Sequence, residues 1–412
     1  MTTMTIDVER ARSRFSALRL EVDGHTARFF DGAGGSQVPD SVIDAIAGYL
    51  RHTNANEGGV FVTSQETNRV LEGAHVAAAD LLGATPAEIA FGANMTTLNF
   101  LLTHAYGRTL EPGDEIVVTQ LDHEGNVSPW RLLARDRGLA VHIVGMNERD
   151  GSIRMDELHR AIGERTRVVA FPLASNAIGT VPDVKRIVGA AHRAGALAWA
   201  DGVHAAPHLS LDFAGLDLDV LMCSPYKFFG PHLGIAAIRE ELAAEWPADR
   251  VVPAAETPAG HRYETGTLNH EALAGVIAAV DYIAELSQID GTRRDRLVAA
   301  YAAIGEHEQA LSLRFLEGAA EIDGLTVHGN TDAAQVSERT PTFLVTLAGQ
   351  EPVQTAQALA ERGFFAWHGD FYAPGAIRGV GLEPPGGVRL SFLHYNTAEE
   401  IDDLLATLRE LA

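Results

Sequence analysis

Short apolar runs alternate with longer amphipathic stretches along the first two thirds of the chain, the pattern of repeated strand–helix–strand units. The runs at 88–91, 115–119, 141–144, 167–171, 196–200, 218–222 and 234–238 read as strands. The clearest helix spans 183–194, with Val184, Ile187, Val188 and Ala191 on one face and Gly195 as the left-handed residue that ends it. From about Asn269 a second helical pattern through Leu273, Val276, Ile277, Val280 and Ile283 leads to strands near 325–327 and 343–347. A last helix follows Thr397, which caps it, with Glu400 completing a capping box. The expected fold is α/β: a large domain with a mostly parallel seven-stranded sheet between helices, plus a smaller α+β domain. Residues 1–30 are expected to pack with the small domain, 31–270 to form the large domain, and 271–412 to supply a linking helix and the small domain.

Charge narrows the partners. A formal charge of −23 and a pI near 5.1 leave no basic footprint for nucleic acid or anionic lipid. The first residues have no basic stretch before an apolar core, and no run approaches the ~18 apolar residues of a membrane span. A cytoplasmic protein is the expectation. The single cysteine, Cys223, excludes an intrachain disulfide and a cysteine-based zinc cluster. His104, His142, His159 and His192 show no metal-ligand spacing, and no metal is expected. The segment Asp31-Gly32-Ala33-Gly34-Gly35 lacks the G-x-G-x-x-G spacing of a dinucleotide loop.

Lysine is nearly absent. Only Lys185 and Lys227 occur, and arginine supplies the rest of the 32 basic side chains. Arginine carries surface charge but cannot serve as an amine nucleophile. Lys185 sits on the polar face of the 183–194 helix, whereas Lys227 follows the apolar run Val220-Leu221-Met222 with Tyr226, Phe228 and Phe229 around it. Desolvation favours the neutral amine there, which points to a Schiff-base lysine.

In open parallel sheets, ligands bind beyond the carboxyl ends of the strands. Thr96 (beside Met95), His123, Asn176, Asp201 and Ser224 all fall at such ends. A hydroxyl and free N–H groups at the helix start by Thr96 form a phosphate cradle. With Lys227 for an aldehyde and Asp201 for a pyridine nitrogen, the set meets the requirements of pyridoxal 5'-phosphate.

Placed together, these segments resemble class V of the fold type I pyridoxal-phosphate enzymes, which holds cysteine desulfurases, isopenicillin N epimerase and kynureninase. Phe30–Ser36 is similar to the family's Asp-Asn-Ala-Ala-Thr-Thr opening, and Leu121–Asn126 to its Glu-His-His-Ala-Asn segment. Ser175-Asn176-Ala177-Ile178-Gly179, Asp201-Gly202-Val203-His204, Ser224-Pro225-Tyr226-Lys227 and Gly266-Thr267 resemble further family motifs, as do Arg389-Leu390-Ser391 and Tyr395-Asn396-Thr397. The resemblance implies that His123 stacks on the cofactor and joins Lys227 and Asp201 in the catalytic set. It implies that Met95, Thr96, Ser224 and Tyr226 bind the phosphate region, that Asn176 lies near the cofactor, and that His204 meets the phenolic oxygen. Arg389 would hold an amino acid's α-carboxylate, with Ala33, Asn176 and Tyr372 beside the substrate. Thr267 would reach a partner's phosphate in a homodimer with shared sites.

The chain departs from the desulfurases in one place. Their loop carries a nucleophilic cysteine, and Gly369-Asp370-Phe371-Tyr372-Ala373-Pro374 has Tyr372 there instead. Trp367, His368, Phe371 and Tyr372 are expected to shape the substrate pocket. The reaction expected is α-proton abstraction by the amine of Lys227 followed by β-elimination from an S-substituted cysteine or a related amino acid. Transamination, epimerisation, desulfuration and a non-catalytic binding role remain as alternatives.

Overall fold

The computed structural model describes residues 6–252, 254 and 256–412. Residues 1–5 of the expected N-terminal segment lie outside the described residues. Seven strands form one sheet in the order Ile89–Gly92, Gly234–Ile238, Val220–Cys223, Leu197–Asp201, Thr166–Pro172, Glu115–Thr119, Ala140–Val144. Only Gly234–Ile238 runs antiparallel to its neighbours. The strands are apolar on both faces because both are covered. Val117, Val169, Phe171, Leu221 and Ile235 enter one core, while Val118, Val168, Ala170, Trp199 and Met222 enter the other. In the second core Trp199 meets Trp130 edge-on at 4.9 Å and stacks on Trp246 at 5.8 Å.

Each expected strand is present; 115–119 and 234–238 have the expected ends, and the others are shifted by one or two residues. Asp201 and Cys223 are the last residues of their strands rather than the first beyond them. The helix Val184–Arg193 takes its cap from Asp183, whose side chain accepts from Arg186 N–H, and Gly195 has φ +74°. Lys185 is exposed on it.

A second, antiparallel sheet has the order Leu325–His328, Thr342–Leu347, Gly387–Ser391, Trp367–Gly369. Arg28–Phe29 pairs in parallel with Phe364–Phe365, and Phe30 joins the core beneath the second sheet, in contact with Phe364 and Phe392. The helix His270–Ala284 is capped by Asn269, whose side chain accepts from Ala272 N–H. Thr397 and Glu400 form the capping box of the last helix, Ala398–Leu411. Among the described residues no helix is long and apolar enough to cross a membrane.

Candidate active site

A cavity of about 680 Å³ opens at the carboxyl ends of the large sheet and is closed from above by the second sheet's 367–372 segment. The structure brings every candidate residue to its wall except Thr267, which is exposed elsewhere, near a different cavity.

One end is a cradle for an anion. Helix Met95–Gly107 starts here, capped by Asn94, whose side chain accepts from Thr97 N–H at 2.8 Å. Met95 N–H donates to Ser224 Oγ at 3.2 Å, which joins this helix start to the lysine loop. The helix start comes so near because Gly234 has no side chain; a Cβ there would lie 2.3 Å from the Asn94 carbonyl carbon. Asn99 sets the neighbouring helix, donating from Nδ2 to Gly125 O at 2.8 Å while Oδ1 accepts from Trp199 Nε1 at 3.0 Å. Tyr226 lines the same end and stacks on His232, with ring centroids 5.0 Å apart. His232 was not among the expected residues.

His123 caps helix Glu124–Arg137, its Nδ1 accepting from Gly125 N–H at 2.9 Å, so that Nε2 carries the proton of the neutral ring. Burial pushes His123 down to about 4, with Lys227 and Arg389 adding to the effect, so the ring is neutral at physiological pH. Below it Asp122 accepts from Thr119 N–H at 3.1 Å and Asn126 Nδ2 at 2.8 Å, which holds the turn.

Asp201 and Lys227 form the buried floor. Asp201 accepts from Val203 N–H at 2.8 Å, and burial raises its carboxyl to about 6. Lys227, 8% exposed, donates from Nζ to the Ala33 carbonyl, with the Tyr226 ring 4.8 Å away. Burial lowers its amine to about 7, Arg389 lowers it further, and Asp201 and Asp31 oppose them. The amine is therefore available uncharged near neutral pH, unlike that of an ordinary lysine. His204 turns Nε2 to Thr340 Oγ1 at 3.1 Å and Thr342 Oγ1 at 3.0 Å, leaving Nδ1 buried without a partner.

The opposite end comes from the second sheet. Arg389 lies in strand Gly387–Ser391 and donates from Nη1 to Asn176 O at 3.0 Å, while its Nε is buried and unpartnered. Burial pushes this guanidinium down to about 9, which leaves it charged at neutral pH and in need of an anion. Phe371 lies under it, with the guanidinium carbon 4.3 Å from the ring centroid. Asn176 Nδ2 donates to Phe371 O at 2.9 Å and Glu124 N–H to Tyr372 O at 2.7 Å, so two backbone carbonyls pin this loop over the cavity. Phe371 and Tyr372 both have left-handed backbones, φ +58° and +55°, a conformation that costs a non-glycine residue about 1–3 kcal/mol. Tyr372 is 74% exposed, its ring 5.7 Å from that of His123, and Trp367 lies against Gly34.

Cys223 is fully buried in the first core, and burial drives its thiol well above the ordinary range. A reactive thiolate needs exposure and a cationic neighbour, so this sulfur is a packing group.

A ligand must complete the cavity. His204 Nδ1, Asn176 Oδ1 and Arg389 Nε are all buried on its wall without a hydrogen-bond partner, as is Asp31 Oδ1 near Arg389. Folded chains rarely leave such groups unsatisfied: Arg389 Nε–H asks for an acceptor such as an anion, and Asn176 Oδ1 and Asp31 Oδ1 ask for donors. Pyridoxal phosphate with an amino acid fits this donor set.

A mostly parallel seven-stranded sheet with a buried lysine and carboxylate at its carboxyl edge is the architecture of fold type I pyridoxal-phosphate enzymes. A family model described as Aminotransferase class-V matches residues 28–404, and the chain belongs to that family of enzymes. It is 32% identical over 98% of its length to a probable cysteine desulfurase of Mycolicibacterium paratuberculosis, and spans 58% of that relative's length. It is 30% identical to the aminotransferase-like protein FGM3 of Gibberella zeae, with 99% of each chain covered. Its fold is also similar to the apo structure of a cysteine desulfurase from Thermococcus onnurineus, with a TM-score of 0.87, 25% identity, and 100% and 99% of the two chains covered.

Proposed function

We propose that this chain is a pyridoxal-phosphate C–S lyase that removes the α-proton of an S-substituted cysteine and expels the sulfur substituent as a thiol. The observation that carries this reading is the buried amine of Lys227 in one cavity with an Arg389 whose Nε is unpartnered, under a loop that has no thiol. When bound, the cofactor supplies an aldehyde for amines and a ring that draws electrons from the substrate's α-carbon.

The chain's own residues do the rest. Met95, Thr96, Ser224 and Tyr226 would hold the phosphate, the helix dipole of Met95–Gly107 adding to the attraction. The carboxylate of Asp201 would keep a proton on the pyridine nitrogen, His123 would cover the ring, and His204 Nδ1 and Asn176 would meet its polar edge. Arg389 binds the substrate carboxylate through the donors that the protein leaves free, as a fork. The amine of Lys227 would take the α-proton as general base. The β-substituent then lies toward Trp367, Phe371 and Tyr372, an aromatic wall suited to an apolar group on sulfur. The cysteine desulfurase names of the relatives favour a sulfur amino acid, and Cys223 in the core favours release of sulfur rather than its capture. Exposed Thr267, with Val60 at 92% and Phe61 at 58% exposure, supports a homodimer in which Thr267 completes a partner's phosphate site.

The test is incubation of the cofactor-loaded protein with S-alkyl and S-aryl cysteines. Equal amounts of pyruvate, ammonia and thiol are expected. Alanine with a protein persulfide from a parallel incubation with free cysteine, or the keto acid of the intact S-substituted substrate, or its inverted form, would replace this reading with desulfuration, transamination or epimerisation, respectively.

A further inference from the structure

We propose that His75, His261 and Glu264 bind one divalent transition-metal ion of the zinc class, at a site distinct from the lysine cavity. His75, in helix Val62–Leu82, has Nδ1 2.8 Å from the Leu71 carbonyl oxygen. A carbonyl only accepts, so Nδ1 carries the ring's proton and Nε2 presents a lone pair. That lone pair faces Glu264 Oε1 at 2.9 Å, and this oxygen already accepts from Phe91 N–H at 2.9 Å. Two acceptors at this distance need a proton or a metal ion between them, and against the effect of burial Glu264 helps raise His75 above the ordinary histidine range. The third member, His261, has its ring 3.9 Å from that of His75, and its Nε2 is buried with no partner.

A proton shared by His75 and Glu264 would serve two of these groups and leave His261 Nε2 unsatisfied. A metal ion serves all three, whose ligand atoms lie within 4.8 Å of one another. Two imidazoles and a carboxylate, with no thiolate, are a recognised donor set for zinc with an open position for water. The Leu71 carbonyl fixes the His75 tautomer, the usual outer-shell support of a ligating histidine. The three residues line a cavity of about 930 Å³ that also carries Glu57, Glu72 and Glu240, so an ion has a route in and an attractive field. The ion would tie helix Val62–Leu82 and, through Phe91, strand Ile89–Gly92 to the 261–264 segment. This site departs from the expectation, drawn from sequence spacing, that the chain binds no metal; His75 is far in sequence from His261 and Glu264 and meets them only in the fold.

The test uses tag-free, cofactor-loaded protein, treated with chelator, dialysed and titrated with Zn²⁺ and separately with Co²⁺. One equivalent of zinc, a rise in Tm on adding it, and the visible absorption of histidine-bound cobalt are expected. His261→Phe keeps the ring stacking and removes the ligand. It should weaken zinc binding by more than the ~10–100-fold that outer-shell changes cost, and abolish the rise in Tm. His261→Gln serves if the phenylalanine variant does not fold. Absence of stoichiometric zinc uptake would leave the proton-bridged His75–Glu264 pair and overturn the proposal. Equal zinc uptake by wild type and variant would also overturn it, by placing the ion on other histidines.

Discussion

The floor of the lysine cavity is made by strand ends of the large sheet, and its mouth by one loop of the second sheet. Asp201, Ser224 and Lys227 are buried at or within four residues of strand ends, and none has a left-handed backbone. Phe371 and Tyr372 are held in left-handed conformations by two hydrogen bonds, and Tyr372 faces solvent. Chemistry common to many substrates needs desolvated groups at fixed positions, which strand ends supply. Recognition of one side chain can be placed on a loop, where residues change without disturbing the core. The contrast accounts for a chain that is similar to cysteine desulfurases along its length while carrying Tyr372 and no cysteine in this loop.

The contrast can be broken first at the floor. Asp201→Asn removes the charge that keeps the pyridine nitrogen protonated, and kcat should fall about 10²–10³-fold for every substrate, with the cofactor still bound. Steady-state kinetics with several amino acids checks this. A loss confined to some of them would mean that the floor also selects the side chain.

Arg389→Gln acts between the two regions. Loss of a forked, charged contact worth about 1.5–3 kcal/mol should raise KM about 10–100-fold and lower kcat less. The dissociation constant of a simple carboxylate inhibitor should rise in parallel. An unchanged inhibitor constant would place the carboxylate site elsewhere.

The floor has its own pH signature. In the folded apoprotein the Lys227 amine is largely uncharged above about pH 7, whereas in the unfolded chain it stays charged up to about 10.5. The unfolded state therefore binds more protons between these values, and this group's contribution to apoprotein stability rises as pH climbs from 7 to 10.5. The rate of cofactor capture should rise through pH 7 and level off, and Arg389→Gln should move that midpoint upward by removing a neighbouring positive charge. A rate that keeps climbing to pH 10 would mean an ordinary, solvated amine.

The smallest effect belongs to the mouth. Tyr372→Ala should change kcat/KM by less than about tenfold for any one substrate, the scale of an apolar contact, yet reorder preference among S-alkyl and S-aryl cysteines. A uniform loss across the series would make Tyr372 part of the chemistry and erase the distinction between floor and mouth.

Much of the floor was legible in the sequence because its residues sit within a few positions of apolar runs. Asp201 and Ser224 mark strand ends, and two lysines in a chain of this length make Lys227 conspicuous. The second sheet was only partly legible. Strands Leu325–His328 and Thr342–Leu347 show apolar runs, whereas Trp367–Gly369 is short and half-exposed and has no such signal. His232 was missed because its place depends on stacking against Tyr226, which no local pattern encodes. The partners of His204, Thr340 and Thr342, lie 136 and 138 residues away. The left-handed turn at Phe371–Tyr372 had no glycine or asparagine at those two positions to announce it, since tertiary hydrogen bonds impose it.

The central claim is that one buried lysine carries the cofactor, and borohydride reduction of the cofactor-loaded protein followed by peptide mapping tests it most directly. The account predicts a yellow protein whose reduced pyridoxyl label lies on the peptide containing Lys227. A label on Lys185, or none on protein saturated with cofactor, would contradict it.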